Sequence, residues 1–436
     1  MRGGWGEITV EKLVNQKIIE KPLDGNHGEI HPKKSDFTES GIPFVMASDL
    51  VNGVVNQETC NFISRKQADS LRKGFAKNGD VLLSHKGTIG RSAILHTSLD
   101  YVVLTPQVTY YRILDNSLLD NRFLYYAFHS PKFQREIKKI AGTGSTRAYI
   151  GITQQLQLHI PLASLAEQKR IVAILDEAFE GIDRAIANTE KNLANSRELF
   201  ESYLNAIFTQ KGDGWISTTV GNLVDQRILN KPLDGNHGEI HPKKSDFVKS
   251  GVPFIMASDL VDGVVNQVKC NFITLEQANS LRKGFAQDGD VLLSHKGTIG
   301  RVAVLKTSHP SVVLTPQVTY YRVRDESVIY NRYLYYFFHC PYFQKEIKTI
   351  AGAGSTRAYI GITSQLQLEI SYPRIDDQKR YADSFDALIS ETQRLESIYR
   401  QKIAALKELK QSILQKAFTG ELTADTPKTV KENIAA

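Results

Sequence analysis

KPLDGNHGEIHPKKSDF, running from Lys21 to Phe37, occurs a second time without change from Lys231 to Phe247. A shift of 210 residues superposes much of the remaining chain too: VLLSHKGTIG stands at Val81–Gly90 and again at Val291–Gly300. Residues 21–160 and 231–370 share 106 identities in 140 positions without a gap. This period is far longer than that of a solenoid module. Each copy must be a folded domain plus its connector, and 436 residues give both domains room for a core.

Within a copy, short strand-like runs (Asp80–Ser84, Tyr101–Leu104, Gln107–Arg112) alternate with Gly, Asn and Pro punctuation. Asn121–Ala141 reads as helix, broken near Ser130-Pro131 because proline lacks the amide donor a helix interior needs. This part is an α+β domain. Near residue 162 the pattern changes. Apolar residues now step by four and three through Ile171, Leu175, Ala178, Ile182, Ala185 and Leu193, then Phe200, Tyr203 and Ile207. Ser164 and Glu167 make a capping box at the start. The second copy repeats the stripe through Tyr381, Phe385, Leu388, Leu395, Tyr399, Ile403, Leu406 and Ile413.

Both stretches predict long amphipathic helices of roughly 65 Å. One such helix alone leaves its stripe wet, so the two are expected to pair antiparallel as a coiled-coil spacer. That places the two α/β globules at opposite ends of a pseudo-twofold arrangement, with the first globule near the end of the second helix. Thr189, Ser196, Thr392 and Lys410 interrupt the stripe and are expected to face solvent or a partner. The expected divisions are a first recognition domain at 1–161, a helix at 162–210, a second domain at 211–372, a helix at 373–422 and a flexible tail at 423–436.

The net charge of +7 and pI near 9.0 suit a polyanionic partner without proving one. No apolar run reaches membrane-spanning length, and the first residues lack the apolar core of a signal peptide. The three cysteines form no CxxC pair; Cys60 and Cys270 hold equivalent places and read as buried thiols of a cytoplasmic protein. The chain has neither an Asn/Asp-Pro-Pro-aromatic methyltransferase signature nor a GxxxxGK[ST] loop. The Gly-rich Ala141–Thr146 follows a helix rather than a strand, with no phosphate-binding lysine after it. His27 and His31, repeated as His237 and His241, do not form HExxH and have no evident third ligand, so no metal is expected. The pattern favours binding over catalysis.

Several motifs, in order and twice, carry a resemblance. They are Gly79–Arg91 (GDVLLSHKGTIGR) with Gly289–Arg301, Pro106-Gln-Val108, Gly144–Arg147, Glu167–Val172 (EQKRIV) with Asp377–Arg380, and Leu409–Thr423. Across nearly the whole chain the sequence resembles the specificity subunit of type I restriction-modification systems. The resemblance implies a non-catalytic subunit with two target-recognition domains, each reading half of a bipartite DNA target. It also implies two helices that set the half-site spacing and dock two methyltransferase subunits, with two motor-nuclease subunits able to join. No cofactor is implied for this chain; S-adenosylmethionine, and ATP with magnesium, belong to the partners.

Contact with double-stranded DNA calls for cations at phosphates and Arg, Lys, Asn, Gln, Ser or Thr at base edges. Three clusters qualify in each copy: His27, His31, Lys33 and Lys34 with His237, His241, Lys243 and Lys244; His85, Lys86 and Arg91 with His295, Lys296 and Arg301; Ser145, Thr146, Arg147 and Tyr149 with Ser355, Thr356, Arg357 and Tyr359. Arg72 and Lys73, with Arg282 and Lys283, are a fourth. Thr88 reads as part of a structural turn, and Trp5 and Trp215 as core. Two near-identical readers about a twofold axis imply a palindromic or nearly palindromic interrupted target. The methylated base would be flipped out by the partner. The alternatives are a stand-alone bipartite DNA-binding regulator and a modifying enzyme in its own right.

Overall fold

Val81–Ser84 is buried at every position and lies at the centre of the first domain. Successive strand side chains point to opposite faces, and here the two faces enter different cores. Val81 and Leu83 pack with the helices Asn121–His129 and Pro131–Ala141, through Phe123, Phe128, Phe133 and Ile137. Leu82 packs into a second core with Val45, Ala93 and Leu104. A strand buried on both faces reads as a continuous apolar run, which is why VLL does not alternate.

The computed structural model describes residues 5–142, 148–352 and 358–423. The chain divides into two units, one of residues 1–189 with 401–436 and one of residues 190–400. In the first unit a six-stranded sheet runs in the order Leu23–Asp24, Val108–Tyr111, Val81–Ser84, Ser92–Ile94, Gly53–Val55, Leu50–Val51. A five-stranded sheet runs Phe37–Thr38, Asn61–Ile63, Ile42–Val45, Val102–Leu104, Phe75–Ala76. Gly6–Thr9 pairs antiparallel with His159–Leu162, joining the two ends of the domain. The second unit repeats the plan around Val291–Ser294, its second sheet having four strands. The fold is mixed α+β, with two sheet-containing domains separated by a long helix, Leu165–Gln210. A second long helix, Ile375–Thr419, follows the second domain. Among the described residues no helix is long and apolar enough to cross a membrane.

Each unit takes part of both long helices. The first core includes Ile171, Leu175, Phe179 and Ile182 of one helix and Leu414 and Ala417 of the other. Asp183 receives Lys410 Nζ at 2.7 Å, while Glu167 bonds Thr423. Position rises along one helix as it falls along the other, so within this unit the helices are antiparallel. In the second unit Arg197 Nη2 donates to Glu396 at 2.9 Å, and Tyr203 lies 5.8 Å from Phe385, again antiparallel. Phe418 packs against Phe123, as the expected approach of the second helix to the first domain requires.

The polar interruptions of the stripe differ from expectation. Thr189 and Thr392 are buried, each hydroxyl donating to the carbonyl one turn back (Ala185, 2.7 Å; Leu388, 2.9 Å). Ser196 is half-buried and bonds the Leu193 carbonyl. Lys410 covers the Phe179 ring at 4.7 Å while paired to Asp183. Local backbone acceptors and one in-chain carboxylate satisfy these groups without solvent or a partner.

The EQKR motif has a structural role at the start of each helix. Gln168 is fully buried; its Oε1 accepts from the Asp120 amide at 2.9 Å and its Nε2 donates to the Leu118 and Ala163 carbonyls, both at 2.9 Å. Gln378 repeats this with Tyr330, Val328 and Pro373. Beside it Asp176 receives Arg122 and Tyr126, as Asp386 receives Arg332 and Tyr336.

One pair differs between the copies with a consequence for stability. In the first unit His159 bonds Glu136 at 2.8 Å; in the second, Glu369 replaces the histidine. Burial, then the charge of Glu369, pushes the Glu346 carboxyl above its ordinary value. A raised folded-state value means stability present at low pH and lost as pH rises through it. Glu369→His is therefore expected to stabilise the second unit by up to about 1 kcal/mol near neutrality and to flatten this pH dependence. Thermal melting from pH 4 to 8 checks it; an unchanged profile would refute the coupling.

Candidate nucleic-acid interface

The interface is built on the loop after Leu23–Asp24. A Cβ on Gly25 would lie 1.9 Å from the Leu104 carbonyl oxygen, so only glycine lets this loop lie flat on the Leu104–Thr105 backbone. Gly235 meets Leu314 in the same way. Asn26 next fixes a second loop: its Nδ2 donates to the Lys73 carbonyl and its Oδ1 accepts from the Arg72 amide at 3.2 Å. Asp24, almost wholly buried, takes His27 Nε2 at 2.7 Å on one oxygen and Lys73 Nζ on the other. Burial pushes this carboxyl up, but the Lys73 and His27 bonds outweigh it and hold it below the ordinary aspartate value. The first and fourth clusters thus meet around one buried carboxylate. The second unit repeats this through Asp234, His237 and Lys283.

The second cluster joins from the turn after the central strand. The His85 amide donates to the Gln107 carbonyl at 2.9 Å, the Gly87 amide to Ala148, and the Ile150 amide back to His85. These bonds set Lys86 beside Tyr149, residues that form a backbone bridge, as do Lys296 and Tyr359. Lys296 Nζ lies 5.9 Å from the Tyr359 ring centre. In the second unit a cleft of about 420 Å³ is lined by His241, Lys243 and Lys244 from one loop and by Lys296 from another. Thr315-Pro-Gln317 and the rings of Phe247 and Phe254 complete it. Its eleven lining residues are identical in the first copy.

Lys33, Lys34, Lys86, Arg72 and Arg91 are exposed, as are their counterparts Lys243, Lys244, Lys296, Arg282 and Arg301. Arg91 and Arg301 lean on the Ala47 and Ala257 carbonyls. His31 bonds the Asn26 carbonyl at 3.1 Å and packs on Phe44, as His241 packs on Phe254. The paired histidines therefore turn to separate partners. Among the described residues no group of three His, Cys, Asp or Glu is arranged to hold a metal. Trp5 and Trp215 pack on the domain cores.

His85 and His295 require correction. Expected as phosphate contacts, both have no exposed surface. Nδ1 of each donates to a carbonyl, Ile150 or Ile360, at 2.9 Å, and burial pushes both imidazoles below the ordinary histidine value. They are neutral parts of the scaffold, with neither surface nor charge to offer a phosphate. Ser145, Thr146 and Arg147, with Ser355, Thr356 and Arg357, lie outside the described residues; Tyr149 and Tyr359 are exposed by 45% and 46%. Thr315 and Gln317 line the cleft too, with Thr105 and Gln107 at the matching positions; the sequence reading placed Gln107 in the motif Pro106-Gln-Val108 and not among the DNA contacts. Their signal was the exact recurrence of Thr-Pro-Gln in both copies.

Similarity to known proteins agrees with this arrangement. The family model described as the type I restriction modification DNA specificity domain matches twice, at residues 17–194 and 233–406. The EcoKI specificity subunit of Escherichia coli K12 is 22% identical over 88% of this chain and 83% of its own length. The EcoBI specificity subunit of Escherichia coli is 24% identical over 70% of this chain, the match spanning 66% of that relative. The fold superposes at a TM-score of 0.74 on a chain from a structural study of complex assembly and conformational transition of the type I R-M system, at 18% identity and covering 97% of this chain and 99% of that one. The HsdS subunit from Thermoanaerobacter tengcongensis gives 0.58 at 18% identity, covering 97% and 98%. DNA sequence specificity, without catalysis, is the function this membership carries. With two specificity domains and a matching fold along nearly its whole length, the chain belongs to the type I restriction-modification DNA specificity family.

Proposed function

We propose that each unit reads one half of an interrupted DNA target and that the two halves are the same sequence, inverted. The observation that carries this is the identity of all eleven cleft positions in the two copies. A groove elsewhere in the first unit has drifted: Glu58, His96 and Leu99 on its wall are Val268, Lys306 and His309 in the second copy. Surface residues have thus diverged where they line that groove and stayed fixed around the cationic cleft. Identical readers select identical half-sites, as in a dimeric repressor on its operator.

The chain acts in a complex with DNA and other restriction-modification subunits. In the finer reading, the long helices set the half-site spacing and dock two methyltransferase subunits, which bring S-adenosylmethionine. Two motor-nuclease subunits using ATP and magnesium complete the restricting form. Both methyltransferases then modify the same base in equivalent contexts.

Long-read methylation sequencing of the host is expected to show a bipartite motif with inverted, identical half-sites and the same modified base in each. Two unrelated half-sites would sink the reading.

A further inference from the structure

Resting on the DNA-reading function above, we propose that Glu29 and Glu239 supply base choice, each taking a hydrogen bond from the N4 amine of one cytosine in its half-site. Ile30 and Ile240, beside them, lie against the adjoining base pair.

Four runs of ten or more residues are identical in the two copies: Lys21–Phe37, Gly79–Arg91, Val102–Arg112 and Gly144–Thr153. The last three carry motifs that mark the family, and a motif shared across a family cannot set one member's own sequence choice. Lys21–Phe37 is the longest run, carries none of those motifs, and is exposed at residues 27–30 and 33–35.

The tip of that run is held by the domain and presented outward. Gly28 has a φ of +78°, which favours glycine, and its carbonyl accepts from the His31 amide at 3.2 Å. His27 on one side is tied to buried Asp24 at 2.7 Å, and His31 on the other to the Asn26 carbonyl at 3.1 Å. Between these two tethered rings stand Glu29 and Ile30, both exposed, Ile30 by 40%. Gly238, with a φ of +76°, precedes Glu239 and Ile240 in the same way, and Ile240 is again 40% exposed. The residues that follow, His241, Pro242, Lys243 and Lys244, line the cationic cleft.

The chemistry of the tip suits bases rather than phosphates. A carboxylate next to a cleft for phosphates works against their binding. Among the described residues neither Glu29 nor Glu239 is held in an ion pair, since His27 and His237 bond Asp24 and Asp234 instead. Yet this acid has been kept. Apart from half-buried Glu136, every other glutamate of the first domain is a different residue in the second copy, Glu39 being Lys249 and Glu58 being Val268. A carboxylate gains at a DNA surface where an amine faces it, and in the major groove the cytosine N4 amine is such a donor. An apolar side chain beside it can meet a thymine methyl.

The test uses the complex of this chain with its methyltransferase subunits and a pool of randomised duplexes, with bound sequences read after selection. Wild type is expected to select an interrupted sequence with a cytosine at the same place in both half-sites. Glu239→Ala should relax that cytosine by about tenfold in one half-site and leave the other intact, and Glu29→Ala should do the same to the other half-site. Glu239→Gln should move the preference toward adenine, whose N7 and N6 a carboxamide matches. Ile240→Ala should relax the neighbouring position alone; no change there would remove the isoleucine from the reader. Unchanged selection in the glutamate variants, with every duplex held more tightly, would mean that the acid only repels phosphate. That result, or unchanged selection of any other kind, would overturn the assignment while the half-site function stands. Relaxation at a position that is not cytosine would overturn the base assignment. If wild type selects no interrupted sequence, the DNA-reading function fails first.

Discussion

Alanine at Lys33, Lys34 and Lys86, together with Lys243, Lys244 and Lys296, is expected to weaken binding to every DNA sequence alike. These six ammonium groups are exposed and come from two loops in each unit; in the second unit Lys243, Lys244 and Lys296 line one cleft together with Thr315-Pro-Gln317. A lysine at a phosphate works largely by releasing a condensed counterion, so its loss shows most clearly in the salt dependence. Six lost contacts should flatten the slope of log affinity against log salt by about 5, and between 50 and 200 mM salt that difference is about a thousandfold. Binding titrations at four salt concentrations, on a cognate and an unrelated duplex, read this directly. The ratio between the two duplexes should hold while both affinities fall. An unchanged slope would place the DNA elsewhere on the molecule.

Much of the scaffold was legible because it rests on local rules. The repeat needed only comparison of the chain with itself. The break at Ser130-Pro131 is a helix boundary because proline fits a first turn, and the helices run Asn121–His129 and Pro131–Ala141. Ser164 does cap a helix, its hydroxyl accepting from the Glu167 amide. What periodicity did not show was which domain each stretch of long helix packs on. Phe208 is wholly buried against Tyr333 and Phe337 of the following domain, on a face that the stripe through Tyr203 and Ile207 misses. A helix enclosed by both a second helix and a globule buries more than one stripe.

The site was less legible, since it gathers segments far apart in the chain. His241, Lys296 and Gln317 come to line one cleft through sheet pairing and through Gly235, whose close approach to Leu314 no spacing rule reveals. His85 misled for a related reason. Between a serine and a lysine, ahead of an exposed glycine turn, it looks like surface; its amide and ring are instead tied to Gln107 and Ile150.

Gln168→Leu is expected to cost the first unit about 3 to 5 kcal/mol, and Gln378→Leu the second a similar amount. Flanked by an acidic residue, a lysine and an arginine, each glutamine looks like one more exposed residue of a charged helix start. Each is instead fully buried and bonds three backbone groups across the junction of domain and helix. Leucine fills much of the space but leaves an amide and two carbonyls unsatisfied, at about 1 to 3 kcal/mol for each that water cannot reach. Lys169→Ala, one residue on and exposed, should change stability by less than about 0.5 kcal/mol. Thermal melting measures the loss, and hydrogen exchange should place it at residues 118–120 and 163–168. The functional consequence follows from the position of the clamp. Once it loosens, a domain no longer holds a fixed angle on the helix proposed above to set the half-site spacing. Methylation by the assembled complex should then spread to targets whose spacer is one base pair longer or shorter, before affinity for a single half-site falls. If Gln168→Leu melts with wild type, or weakens half-site binding without relaxing the spacer, the motif is not the clamp that fixes target geometry.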